Sequence, residues 1–111
     1  MQPRVKAELW IKAHIRRCWS QDVIAVVARR GDEMAGTVLI KLNTLDDGCS
    51  VLQPAPSPEG GRIWLRATGP ELVDESEADA YISRQVNFDP DLWVLEIEDR
   101  DGRHFLDEPV E

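Results

Sequence analysis

Hydrophobic and polar positions alternate most cleanly over residues 92–98, where Trp93, Leu95 and Ile97 fall on one side and Leu92, Val94, Glu96 and Glu98 on the other. A period of two marks a strand with one side in a core. Asp101-Gly102 follows as a two-residue turn signal, and residues 103–107 are expected to return as a short edge strand, leaving 108–111 as a tail. Earlier in the chain the period changes. Ala7, Ile11, Ile15 and Cys18 form an apolar stripe at helical spacing, with His14 beside it and Trp10 and Trp19 at its edges, which predicts a helix from Val5 to about Trp19. Val5, Ala7, Leu9 and Ile11 also alternate, so residues 5–11 read as helix or as strand.

Residues 23–30 are almost continuously β-branched or small, the pattern of a central strand covered on both sides. A loop with glycine at both ends, Gly31 to Gly36, leads to a second strand over 37–43, and the two together read as an antiparallel hairpin. A third short strand covers 49–53. Three prolines and two glycines then predict a flexible loop over about 54–61. Residues 62–67 alternate strictly, placing Ile63, Leu65 and Ala67 inward and Arg62, Trp64 and Arg66 on the other face. Overlapping cap patterns, Asp74 to Glu77 and Ser76 to Asp79, start a second helix that runs to about Val86 with Ala78, Ile82 and Val86 as its stripe. Pro90 bars its continuation.

The order is α-β-β-β-β-α-β-β without βαβ alternation. It predicts an α+β single domain spanning 1–111: an antiparallel sheet of about four to six strands with two helices packed on one face.

Composition narrows the function more than it names one. The chain has 111 residues, 42% hydrophobic and 31% charged, as in a soluble globular protein. It shows neither an apolar run long enough to span a bilayer nor a secretory h-region, so the expected location is cytoplasmic, with no membrane partner. Two cysteines, Cys18 and Cys49, stand far apart in no metal-ligand spacing and read as buried free thiols. The net charge of −8 divides unevenly, +2 over residues 1–56 and −10 over 57–111. That balance disfavours nucleic acid, whose phosphates require cations, and leaves the group Lys12, Arg16, Arg17, Arg29 and Arg30 as a third-ranked nucleic-acid candidate. It suits two halves that attract each other, or an acidic face for a basic partner.

Several blocks carry a resemblance: Ile15-Arg-Arg17, Arg30-Gly-Asp32, Gly36 to Asn43, Pro54-Ala-Pro56 and above all Phe88 to Asp107. Over nearly its whole length the chain resembles the small alphaproteobacterial proteins grouped as domain of unknown function 1491. The resemblance implies a bacterial cytosolic single domain. It carries no activity or catalytic residue across.

Two constellations are candidates for chemistry. Asp99, Asp101, His104 and Asp107 crowd the predicted hairpin tip, where carboxylates and an imidazole make an oxygen/nitrogen ligand set or a general acid/base pair. The spacing matches no metal signature. A calcium loop starting two residues before Asp99 would need an oxygen ligand at Ile97, so that reading fails. Arg62, Trp64 and Arg66 form the second, able to stack a base or hold an anion. If their strand lies beside residues 92–98, they instead pair with Glu96 and Glu98 across the sheet. No motif for a nucleophile, a phosphate loop or a metal centre is present, and no catalytic residue, metal or cofactor is assigned.

The leading expectation is a non-enzymatic interaction or accessory module that self-associates or docks a protein partner. Four tryptophans exceed what so small a core needs, and Trp is enriched at interface hot spots. Trp10, Trp19, Arg62, Trp64 and Arg66 are the expected interaction surface, and at least one of Trp10, Trp19 and Trp64 should be exposed. The alternative is a small metal- or ligand-binding protein, or an enzyme, using the acidic hairpin.

Overall fold

The computed structural model describes residues 6–34 and 36–111. In chain order they form α1 (Ala7–Ser20), β1 (Ile24–Arg29), β2 (Val38–Asn43), β3 (Cys49–Pro56), β4 (Arg62–Arg66), α2 (Glu75–Phe88) and β5 (Trp93–Glu98). The helical reading holds from Ala7 onward, whereas Val5 lies outside the described residues. Ala7, Ile11, His14 and Cys18 are buried at helical spacing. The helix ends in a Schellman arrangement: the Val23 amide returns to the Cys18 carbonyl, the Asp22 amide to Trp19, and Asp22 itself takes φ 61°.

The sheet order is β1-β5-β2-β3-β4. All neighbours are antiparallel except β2 and β5, which run parallel from Val38 beside Trp93 to Asn43 beside Glu98. The α+β class and a mostly antiparallel sheet of five strands are therefore as the sequence implies. The hairpin expected between 23–30 and 37–43 does not form, because β5 lies between β1 and β2. The loop after β1 is built around that insertion. A Cβ on Gly31 or Gly36 would stand 2.1 or 2.5 Å from the Asp91 carbonyl oxygen, so only glycine lets the two segments approach this closely. The Trp93 indole N–H donates to the Asp32 carbonyl at 2.6 Å, fixing the same contact. β1 is consequently an edge strand, not the doubly covered central strand its composition suggests.

The helices also depart from expectation, because they cover opposite faces. Ile11 and Cys18 of α1 share a core with Ile40, Leu42, Leu52, Trp64, Trp93, Leu95 and Ile97. Ala78 of α2 packs with Leu39, Cys49, Val51 and Leu92, residues on the reverse of the same strands. The alternation of β2 explains it: with both faces buried, Val38, Ile40 and Leu42 face the α1 core while Leu39, Lys41 and Asn43 face α2. The cysteines are free and fall one in each core.

The proline-rich segment is more ordered than the predicted 54–61 loop. β3 continues through Pro54 and Pro56, paired with Trp64 and Arg62, and the loop shrinks to residues 57–61. β2 pairs only as far as Leu52, so the missing proline N–H groups face a side with no strand to receive them. The tail differs too. Asp101-Gly102 turns as expected, with the Gly102 amide on Asp99, but 103–107 makes no strand. The chain instead crosses the α1 face with Phe105 at φ 60° and lies against the free edge of β4. No helix among the described residues is long and apolar enough to cross a membrane.

Candidate functional site

The crossing segment closes over the α1 face as a clasp. Phe105, Leu106 and Val110 pack on the core, and backbone bonds hold the end of the chain to β4: Trp64 N–H to Pro109, Glu111 N–H to Trp64, and Arg66 N–H to Glu111. Side chains repeat the attachment. Glu108 accepts from Arg62 at 3.1 and 3.3 Å and from the Trp64 indole at 3.0 Å. Arg17 of α1 donates to the Phe105 carbonyl at 2.9 Å and meets Asp107 at 3.1 Å, a solvent-facing ion pair of small energetic weight.

Beneath the clasp is an aromatic stack. Trp10 lies parallel to His14 at 4.9 Å and against Trp64 at 5.8 Å, and the Arg62 guanidinium covers both indoles at 5.3 and 4.8 Å. The Nε2–H of buried His14 donates to the His104 carbonyl at 2.8 Å, while His104 accepts the Leu106 amide on Nδ1 at 3.0 Å. The His104 bond needs a neutral ring, since Nδ1 must keep its lone pair, whereas His14 can donate from Nε2 in either protonation state. Burial pushes both imidazoles below their ordinary pKa, with the Arg66 charge adding to the effect at His104. A cleft of about 130 Å³ opens here, lined by Trp10, His14, Arg17 and Leu106 to Glu108.

The candidate residues are therefore only partly brought together. Trp10, Arg62 and Trp64 join in one stack. Trp64 is buried on the core side, so the expected orientation of β4 is reversed, and Leu65 takes the exposed face. β4 and β5 are separated by β2 and β3, which rules out pairing of Arg62 or Arg66 with Glu96 and Glu98. Trp19 stands about 13 Å further along α1 than Trp10 and donates its indole N–H to the Ala25 carbonyl of β1.

The acidic tip does not converge. Asp99 accepts both the side chain and the amide of Arg103, at 2.8 to 3.1 Å, and that guanidinium holds its carboxyl below the usual range. Asp101 is exposed on the turn, and Asp107 faces Arg17. Among the described residues no cluster of three or more His, Cys, Asp or Glu side chains is placed to hold a metal. Of the basic candidates, Lys12 and Arg30 both reach Glu8, at 3.2 Å each.

A polar cluster that sequence patterning does not single out lies on the α2 side. Lys41, 5% exposed, places its ammonium 2.7 Å from both Glu75 and Asp79 of α2 and 3.9 Å from Glu96. Asn43 bridges Glu75 and Glu96. Bonds to the two α2 carboxylates raise the Lys41 pKa despite the cost of burial, so its amine stays charged and is no nucleophile. A charged residue in an otherwise apolar strand, Val38-Leu-Ile-Lys-Leu, is the signal that points to it.

Apolar side chains are exposed in several places, Leu9 and Phe88 among them, and three of them share the edge strand. Ile24, Val26 and Val27 of β1 are 45%, 44% and 42% exposed, and Trp19 beside them 53%.

The comparisons agree on a family. A family model described as "Protein of unknown function (DUF1491)" matches residues 5–107. A crystal structure of a DUF1491 family protein from Caulobacter crescentus is 42% identical, with a TM-score of 0.88 over 97% of this chain and all of that one. An NMR structure of a DUF1491 family protein from the same organism is 41% identical over 99% of both chains, with a TM-score of 0.85. A solution structure of a protein from A. tumefaciens is 30% identical over 86% of both chains, with a TM-score of 0.73. No curated protein matches. The chain belongs to the DUF1491 family.

Proposed function

We propose that the protein is a non-enzymatic interaction or accessory module of the bacterial cytoplasm. The observation that carries this reading is the edge strand β1, which turns three β-branched side chains to solvent with Trp19 half-exposed at its start. An apolar edge of this kind invites a partner, and Trp is a frequent anchor of binding hot spots. Trp19 meets the expectation that one of the three tryptophans be exposed. Against the alternative of a small enzyme, Asp99 and His104 have separate structural engagements, Asp101 stands exposed on the turn, and the cleft is well below the several hundred cubic ångströms of ordinary ligand pockets.

Affinity purification from the native cell with mass spectrometry tests the reading, alongside light scattering of the purified protein. A specific partner or a dimer is expected, lost on Trp19→Ser with Val27→Thr, two changes at exposed positions. A protein that stays monomeric and captures nothing specific would remove the reading.

A further inference from the structure

We infer that the uncovered part of the sheet on the α2 side is a docking groove for a basic amphipathic helix of a protein partner. The inference rests on the interaction reading above and assigns it a place and a partner chemistry.

Five strands at about 4.8 Å spacing present a face about 19 Å across, room for two helices about 10 Å wide. α2 packs on β3 and β2. Beyond it, Val94 and Glu96 of β5 are largely covered, and over β1 no element packs on this side among the described residues. Strand register identifies its floor. Ile24 lies opposite Glu98 and Val26 opposite Glu96, and paired residues share a face. Glu96 in turn lies beside Lys41, whose ammonium meets α2, so this is the α2 side. The floor is thus two β-branched side chains, each nearly half-exposed, next to two carboxylates.

Glu75 and Asp79 of α2 form the wall, their side chains more than half exposed while they hold Lys41. Four carboxylates face one ammonium here, and that ammonium is buried beneath them. Glu98 has no ion-pair partner among the described residues. Apolar side chains within a negative rim fit a helix with an apolar stripe flanked by lysine or arginine. A second copy of the chain meeting this face with its own would oppose carboxylate to carboxylate, which argues for a foreign helix.

The test is NMR titration of the full chain with a synthetic Leu/Lys amphipathic helical peptide, its Leu/Glu counterpart serving as control. The Lys peptide should shift the amides of Ile24, Val26, Glu96 and Glu98, more weakly at high salt, and the Glu peptide should not. Glu98→Gln should weaken binding by about fivefold, the scale of one partly screened charge pair. Val26→Thr, isosteric and exposed, should weaken it without disturbing the fold. Shifts centred elsewhere, an equal response to the Glu peptide, or unchanged affinity in both variants would overturn the groove. So would the same amides moving on dilution without peptide, which would make the occupant a second copy. The peptide experiment needs no cellular partner, so its failure is separate from failure of the interaction reading. A partner captured from the native cell and retained by both variants would likewise sink the groove while the wider reading stands.

Discussion

The indole N–H of Trp64, wholly buried, donates at 3.0 Å to the carboxylate of Glu108, 44 residues along the chain. Glu108→Ala removes this acceptor together with the Arg62 pair and leaves a buried N–H unsatisfied. A loss of about 1–3 kcal/mol is expected in denaturant unfolding. Hydrogen exchange at the Trp64, Arg66 and Glu111 amides should accelerate, because those bonds hold the clasp to β4. Unchanged exchange at these amides would mean that backbone pairing alone secures the segment.

Lys41 should respond asymmetrically. Replacing Glu75 and Asp79 together by alanine strands a buried ammonium, with Glu96 as the remaining carboxylate at 3.9 Å, and should cost about 3 kcal/mol or more. Lys41→Met instead removes the charge, fills similar volume and leaves the acids wet, so its cost should stay below about 1.5 kcal/mol. Thermal melts of the two variants decide the matter. A larger loss for Lys41→Met would show that the ion pairs themselves dominate.

Acid should loosen the clasp before it unfolds the carboxylate network. Both imidazoles have folded pKa values below the ordinary 6.5, so the unfolded chain binds their protons more tightly. Their contribution to stability is complete above about pH 6.5 and declines as the pH falls through and below that value. Urea midpoints should therefore be lower at about pH 5.5 than at about pH 7.5. His104→Asn keeps an acceptor for the Leu106 amide but cannot titrate, and should flatten this dependence. The Asp99 contribution, also from a lowered pKa, disappears only in stronger acid.

Gly31→Ala should be the most damaging of the small substitutions. Its Cβ would meet the Asp91 oxygen, the Leu92 carbonyl carbon and the Trp93 ring all within 2.7 Å. Two of the three obstacles are backbone and cannot rotate aside, so a loss of about 3 kcal/mol is expected by calorimetry. Gly60→Ala provides the control: its Cβ meets nothing within 4 Å, and any cost there comes from its φ of 92°. Equal losses would show that the Asp91 segment yields to the added methyl group at Gly31.

Local pattern made much of the architecture legible. The alternation of Trp93, Leu95 and Ile97, the stripe of α1, the Asp101-Gly102 turn and the break at Pro90 each act within a few residues and are found where the pattern puts them. What pattern could not supply is pairing between distant segments. The insertion of β5 depends on contacts of Asp91 and Trp93 with Gly31 and Gly36, over fifty residues away. β1 is as apolar as a central strand although its outer face is open, and composition alone does not distinguish burial in the chain from an apolar surface. The face of Trp64 is hidden from pattern for a related reason. A strand flanked by arginines looks solvated until Glu108 is brought in to satisfy Arg62. For the candidate site, residue type identified the Trp10, Arg62 and Trp64 group, whereas the acidic tip was drawn together by sequence proximity that the turn does not preserve.

The position of β5 has a consequence for the order in which the molecule is made. β1 has one strand neighbour, and Ile24 must wait for Glu98 before it can pair. During synthesis the β2-β3-β4 meander can assemble early from neighbouring segments, while α1 and β1 remain without their place in the sheet until residues 93–98 emerge. Closure then joins distant parts of the chain, a step set by long sequence separation and correspondingly slow. Until it occurs, the β-branched residues of β1 are available to any other strand or chaperone that reaches them first.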